Sequence, residues 1–77
     1  MTYNEFITEI WLNVDNCPKA WRKGQKVFNV IDKLYGNVAR DVQFIDGVDC
    51  FYDDSDETIE LFINKCWYRM FSTNFKK

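Results

Sequence analysis

Histidine is absent from the 77-residue sequence, and cysteine, glycine and proline are scarce. Without histidine the chain can build neither a Ser-His-Asp nor a Cys-His catalytic arrangement, and it offers no histidine ligand to a metal. The three cysteines, Cys17, Cys50 and Cys66, are widely spaced and form no CxxC pair, which argues against a disulfide framework and a zinc site. No glycine-rich phosphate loop is present. We therefore expect no enzymatic activity, no metal and no cofactor, with Cys50 and Cys66 packed in the core.

Long apolar runs are also missing. No stretch of about 18 apolar residues occurs, so we expect no membrane-spanning helix. Glu5, Glu9 and Asp15 interrupt the N-terminal region, which is untypical of a signal peptide. With unpaired cysteines, these features predict a reduced, cytoplasmic protein. The chain is 47% hydrophobic and 18% aromatic, too apolar for disorder, and its length fits one domain spanning residues 1–77.

Apolar residues at helical spacing predict two helices in the first half. One spans 3–14, with Thr2 as its N-cap and Glu5 completing a capping box. The second spans 18–35, with Pro18 at its first position and Gly36 in a left-handed conformation after its end. Gly24 lies on the apolar stripe of this helix. It either permits close approach by a neighbouring helix or marks a break after a first short turn.

The second half is less regular. Residues 37–45 fit a short helix, which we favour over a strand at "VQFI" because a lone strand would have no partner. A turn around Gly47 follows. The last helix should run from about Asp56 to about Ser72, with Asp54 or Ser55 as its N-cap, and residues 73–77 should fray. The predicted fold is all-α: a compact bundle of three main helices plus one short helix.

The charge is segmented along the chain. Residues 41–60 contain eight acidic residues and no basic one, although the net charge is only −2. A calcium loop from Asp41 fails, because Gln43 and Ile45 stand where ligands are needed, and no pocket is predicted for an acid–base carboxylate pair. Helix capping explains some of these eight acidic residues. The remaining ones are explained by a negatively charged surface that binds a basic partner. The predicted partner-binding residues are Asp41, Asp46, Asp49, Asp53, Asp54 and Glu57.

A basic cluster precedes the acidic run. Its cations could hold phosphate while Trp21 stacks on a base, and this nucleic-acid-binding alternative uses Lys19, Arg22, Lys23 and Lys26. The isoelectric point near 4.9 and the lack of a second basic helix argue against it. We favour Trp21 as a core residue with solvated cations around it.

Two motifs carry a resemblance. The pattern W-R-x-G-Q-x-x-F-N occupies residues 21–29, and D-x-F-Y-D-D-S occupies residues 49–55. The segment from 16 to 63 resembles a scattered group of small bacterial and bacteriophage proteins, many of which have proline at the position of Cys50. The resemblance implies a phage or mobile-element setting and supplies no catalytic residue. It also suggests a structural lock, in which Phe51 enters the core and the Tyr52 hydroxyl lies near helix 2. The lock residues are Trp21, Gln25, Asn29, Phe51 and Tyr52.

The favoured function is that of a non-enzymatic accessory factor that binds a larger protein with a basic surface. A nucleic-acid-bound nuclease of host defence is the most concrete target, which would make the role anti-CRISPR-like and place the chain in the host cytosol. The alternatives are a nucleic-acid-associated regulator that uses the basic face of helix 2, and a small oligomeric or virion component that uses surplus aromatics on the last helix.

Overall fold

The computed structural model describes residues 1–72 and confirms an all-α fold. Four α-helices and one π-helical turn (the π turn) make up the architecture, and no strand occurs within those residues. The elements are α1 (Tyr3–Val14), α2 (Lys23–Tyr35), α3 (Val38–Asp41), the π turn (Val42–Asp46) and α4 (Asp56–Ser72). The frayed end that we expect at 73–77 lies outside the described residues.

Helix α1 begins as its sequence predicts. The Glu5 amide donates to the Thr2 hydroxyl oxygen at 3.2 Å, and the Thr2 amide donates to Glu5 Oε1 at 2.6 Å. This capping box satisfies two amides that have no partner inside the helix. Phe6, Ile10 and Val14 then point into the core.

Helix α2 begins at Lys23 and not at Pro18, so the predicted start is wrong by five residues. Residues 15–22 form turns instead, in which the Trp21 amide donates to the Pro18 carbonyl at 3.1 Å. The reason lies in a distant part of the chain. The Gly24 amide donates to the Asp53 carbonyl at 2.9 Å, and the Lys23 amide donates to the Asp54 carboxylate at 2.9 Å. These two bonds define where the helix starts.

Gly24 allows the loop before α4 to contact α2 backbone to backbone. A Cβ at this position would lie 1.7 Å from the Cys50 carbonyl oxygen and 2.5 Å from that of Asp53. The Cys50 thiol, in turn, donates to the Gly24 carbonyl oxygen at 3.4 Å. The close approach expected at Gly24 is therefore present, but a loop makes it and not a neighbouring helix.

The short helical segment after α2 is confirmed, although it ends in an unusual turn. Val38, Ala39 and Val42 are buried, whereas Phe44 and Ile45 in the π turn are exposed to solvent. Gly36 separates α2 from α3 with φ 72° and ψ −138°, a conformation that is essentially restricted to glycine.

The core collects apolar side chains from every helix. Phe6, Ile31 and Phe62 are among the largest that are fully buried. Cys50 and Cys66 are both buried as free thiols, as their sequence context predicts. Burial raises the pKa of the Cys50 thiol to about 12, so the reactive thiolate is suppressed near neutral pH. Within residues 1–72, no helix combines the length and the hydrophobicity needed to cross a membrane.

A Gly24→Ala substitution should destabilise the protein by about 3 kcal/mol or more, because the new methyl group would overlap backbone atoms that cannot move independently. Gly47→Ala is a suitable control. Gly47 has φ 71°, but nothing lies within 4 Å of an added Cβ. Gly47→Ala should therefore lower the unfolding free energy only by the strain of a left-handed alanine, about 1–2 kcal/mol. Urea denaturation of both variants measures the difference. Equal destabilisation would contradict the steric explanation.

Candidate functional site

The acidic segment first serves the fold, and Asp54 is the clearest case. Its carboxylate accepts the Lys23 amide at 2.9 Å and an Arg22 guanidinium N–H at 3.1 Å. It therefore caps α2, although sequence reasoning predicted Asp54 or Ser55 as the N-cap of α4. The Lys23 amide, followed by Arg22, lowers the pKa of Asp54. Directly before α4, the Ser55 carbonyl accepts the Ile59 amide at 3.1 Å.

Asp49 and Asp53 each hold a local turn. The Phe51 amide donates to Asp49 Oδ1 at 2.9 Å, and the Ser55 amide donates to Asp53 Oδ1 at 2.8 Å. Such side-chain-to-backbone bonds shape loops without a basic partner. Each carboxylate uses one oxygen in this way, and its negative charge is not offset by a cation of the described chain.

Asp46 ties the π turn to the last turn of α4. Its two oxygens face Arg69, with Nε to Oδ2 at 2.9 Å and Nη2 to Oδ1 at 3.4 Å. Both side chains are largely shielded, with 23% of Arg69 and 27% of Asp46 exposed. Asp46, and more weakly Asp41, raise the pKa of Arg69. Asp46 therefore has a structural role that the sequence pattern did not reveal.

The six predicted partner-binding acids thus fall into three groups. Asp46 and Asp54 are neutralised within the chain. Asp41 forms no ion pair within residues 1–72, but it lies near enough to Arg69 to raise the pKa of that guanidinium. Asp49, Asp53 and Glu57 form no ion pair with any cation in residues 1–72. We call Asp49, Asp53 and Glu57 the acidic surface.

Folding brings two cations of the basic cluster into contact with the acidic segment. Arg22 pairs with Asp54, and Lys23 pairs with Asp56 while its ammonium lies 5.5 Å from the centre of the Trp11 ring. These contacts offset two of the four cations in the predicted nucleic-acid-binding set. Lys19 and Lys26 form no ion pair with the described residues.

Trp21 is not a core residue, which corrects the sequence interpretation. It is half-buried and lines a groove with Pro18 and Asn29, on the side where α1 is followed by turns. The reason is the late start of α2, because a residue that precedes the helix cannot belong to its apolar stripe.

The lock hypothesis is partly supported by the geometry. Phe51 packs edge-on against Phe28, with ring centres 5.4 Å apart. Tyr52, however, is 78% exposed, and its hydroxyl makes no hydrogen bond with Gln25 or Asn29 in the described structure. The side chain of Gln25 accepts the Arg22 amide at 3.4 Å instead. Backbone contacts at Gly24, and not the tyrosine hydroxyl, hold the loop to α2.

An aromatic hollow lies where α2, α3, the π turn and the loop before α4 meet. It has a volume of about 420 Å³ and is lined by Phe28, Arg40, Gln43, Phe44, Phe51 and Tyr52. Phe44 and Tyr52 are each 78% exposed, more than any other large hydrophobic side chain of residues 1–72. Sequence reasoning missed Phe44 as a surface residue. The helical spacing could have predicted this exposure, because Phe44 lies on a different face of the helix from the buried Val38, Ala39 and Val42.

Comparisons with family models, with curated proteins and with solved structures give no match for this chain. Across residues 1–72, no group of three acidic or cysteine side chains converges in a way that could hold a metal ion.

Asp54 should make stability depend on pH. Because its folded pKa lies below the ordinary value of 3.8, it stabilises the fold above that value, and this contribution is lost as the pH falls through the folded pKa. Asp54→Asn should therefore flatten the pH dependence of the urea midpoint in acid. Asp15→Asn is the control, since the Asp15 carboxylate accepts no hydrogen bond from the described residues. An identical pH profile for both variants would argue against the cap.

Phe51→Ala should cost about 2 kcal/mol, less than the roughly 3–5 kcal/mol of a fully buried phenylalanine, because the ring is only partly enclosed. Tyr52→Ala should change the unfolding free energy by no more than about 0.5 kcal/mol, since its ring is mostly exposed. Thermal or urea unfolding measures both. If Tyr52→Ala lowers the unfolding free energy as much as Phe51→Ala does, Tyr52 helps to hold the loop to α2 after all.

Proposed function

We propose that the chain is a non-enzymatic accessory protein that binds a basic surface on a larger protein. The observation that carries the proposal is the uncompensated charge of the acidic surface. Asp49, Asp53 and Glu57 form no ion pair within residues 1–72, even though that part of the chain contains eight Lys and Arg residues. Charges left unpaired at a surface contribute to the recognition and steering of an oppositely charged partner.

The setting of the proposal comes from the resemblance of residues 16–63 to small bacterial and bacteriophage proteins. In that setting, a concrete target is a nuclease of host defence, because such an enzyme carries a basic channel for its guide or substrate. A protein that covers such a channel with carboxylates would compete with nucleic acid, and this action would take place in the host cytosol.

Two other functions receive less support. A nucleic-acid-binding role would use the basic cluster, but Arg22 and Lys23 are already paired with Asp54 and Asp56. An oligomeric or virion role would use α4, where Leu61 and Tyr68 are 48% and 66% exposed. Gel-shift assays with short RNA and DNA test the first alternative, and light scattering of the free protein tests the second.

The deciding experiment compares two neutralised variants in affinity capture from bacterial lysate, with quantification by mass spectrometry. Asp49→Asn with Asp53→Asn removes two charges of the acidic surface but keeps an acceptor oxygen for each turn. Glu9→Gln with Asp15→Asn removes the same charge from α1 and its C-terminal end, and serves as the matched control.

A partner that wild type and control retain, and that the Asp49/Asp53 variant loses, is the expected result. Capture of this partner should weaken with added salt, because the contact depends on exposed charges. Equal capture of every protein by all three forms would refute the acidic surface as the interface. Retardation of RNA or DNA in the gel-shift assay would favour the nucleic-acid-binding alternative.

A further inference from the structure

The groove beside Trp21, which we call the Trp21 groove, has a volume of about 260 Å³. It lies where the end of α1, the turns at 15–22 and the second half of α2 meet. Its apolar lining comes from Pro18, Trp21, Val30 and Leu34. A concave apolar surface that carries a few polar groups is the usual composition of a small-molecule site.

Three asparagine side chains supply most of the polar lining of this groove. The side-chain nitrogen of Asn13 donates to the Glu9 carbonyl at 2.9 Å, and that of Asn16 donates to the Leu12 carbonyl at 3.4 Å. Asn29 makes no side-chain hydrogen bond with any residue of 1–72. Each of the three carboxamides therefore keeps an acceptor oxygen for a ligand, and Asn29 keeps its donors as well.

The charge at the Trp21 groove is positive. Lys33 lines the groove and forms no ion pair within residues 1–72, and none of the residues that line it is acidic. Lys26, which also lacks an ion pair in that part of the chain, lies about one helical turn before Asn29 on α2. Asp15 precedes Asn16 in the chain but does not line the groove. An unpaired cation beside apolar side chains, with no carboxylate among them, favours an anionic group on the ligand.

Trp21 and Lys33 together indicate the kind of ligand. An aromatic side chain stacks on flat rings of other molecules, and an ammonium binds a carboxylate or a phosphate as a point charge. An uncharged ring would leave Lys33 without a partner, and an inorganic anion would leave the apolar lining uncovered. The asparagine amides add hydrogen-bonding groups for the edge of a heterocyclic ring.

We propose that the Trp21 groove binds a small molecule that joins a flat ring to an anionic group. Aryl carboxylates and nucleoside monophosphates share this chemistry, and one probe of each kind distinguishes them. The groove shares no residue with the acidic surface, so the inference is independent of the proposed function.

Cys17 reports whether the groove is occupied. It lines the groove and is only partly buried, whereas Cys50 and Cys66 are fully buried, so N-ethylmaleimide should label Cys17 first in the folded full chain. The anionic probes are adenosine monophosphate and indole-3-acetate, and their uncharged counterparts are adenosine and 3-methylindole. At least one anionic probe should slow the labelling of Cys17, measured by mass spectrometry. Its uncharged counterpart should need about tenfold higher concentration for the same protection.

NMR titration of the ¹⁵N-labelled chain gives a second readout that does not depend on the reactivity of Cys17. The same probe should shift the amide signals of residues 13–18 and 29–34, which contain most of the lining.

Lys33→Gln should weaken binding of the anionic probe about tenfold and leave that of its uncharged counterpart unchanged, because only the charge contact is lost. Trp21→Ala should weaken both, because the stacking surface is lost. Lys65→Gln is the matched control, since Lys65 is exposed on α4 and forms no ion pair within residues 1–72. Thermal unfolding of each variant checks that the fold is intact. If Trp21→Ala unfolds, Trp21→Leu replaces it, since it removes the ring but keeps an apolar side chain.

The inference is wrong if neither anionic probe slows the labelling or shifts these signals. Equal binding of an anionic probe and its uncharged counterpart, or unchanged affinity of the Lys33→Gln variant, would also overturn it. Protection by adenosine monophosphate alone assigns the groove to nucleotides, and protection by indole-3-acetate alone assigns it to aryl carboxylates. If a short single-stranded RNA protects Cys17 where both small anions fail, the groove serves the nucleic-acid-binding alternative and the inference is wrong.

Discussion

The contact between the loop before α4 and the first turn of α2 fixes the start of one helix and the path of the chain into another. At Gly24 two stretches of backbone meet with no side chain between them, and the amide of this residue donates to Asp53 across 29 positions of sequence. The Asp54 carboxylate adds a charged cap to the same helix end. These bonds satisfy amides that an α-helix cannot satisfy by itself, and they fix the loop that carries Asp49, Asp53 and one wall of the aromatic hollow.

The acidic run therefore combines two roles that its sequence does not separate. Asp46 and Asp54 hold elements of the fold together through arginine, and the carboxylate of Asp54 is stabilised further by a backbone amide. Asp49 and Asp53 each stabilise a turn with one carboxylate oxygen, and neither forms an ion pair within residues 1–72. Because only the second kind of carboxylate has no ion-pair partner within residues 1–72, the proposed interface is smaller than the run of eight acids indicates.

The π turn changes which side chains of its segment face the core. A regular helix through residues 38–46 would place Ile45 on the stripe of Val38, Ala39 and Val42, but the wider turn redirects the residues that follow, and Ile45 is 67% exposed. Phe44, which lies off that stripe, also faces outwards and lines the aromatic hollow.

Local patterns along the chain are enough to predict the elements that depend on neighbours within a few residues. They predict the apolar spacing and capping box of α1, the span of α4, the helical character of 37–45, the positive φ at Gly36 and the all-α class. The start of α2, the partner of Gly24, the role of Asp54 and the placement of Phe44 and Tyr52 at one hollow depend on tertiary structure. In the contacts of Gly24 and Asp54 the bonded residues lie about thirty positions apart, and no spacing rule relates them. Their geometry exists only after the helices have packed, so the local pattern around Pro18 and Trp21 was free to indicate a longer helix and a more deeply buried tryptophan than the folded chain contains.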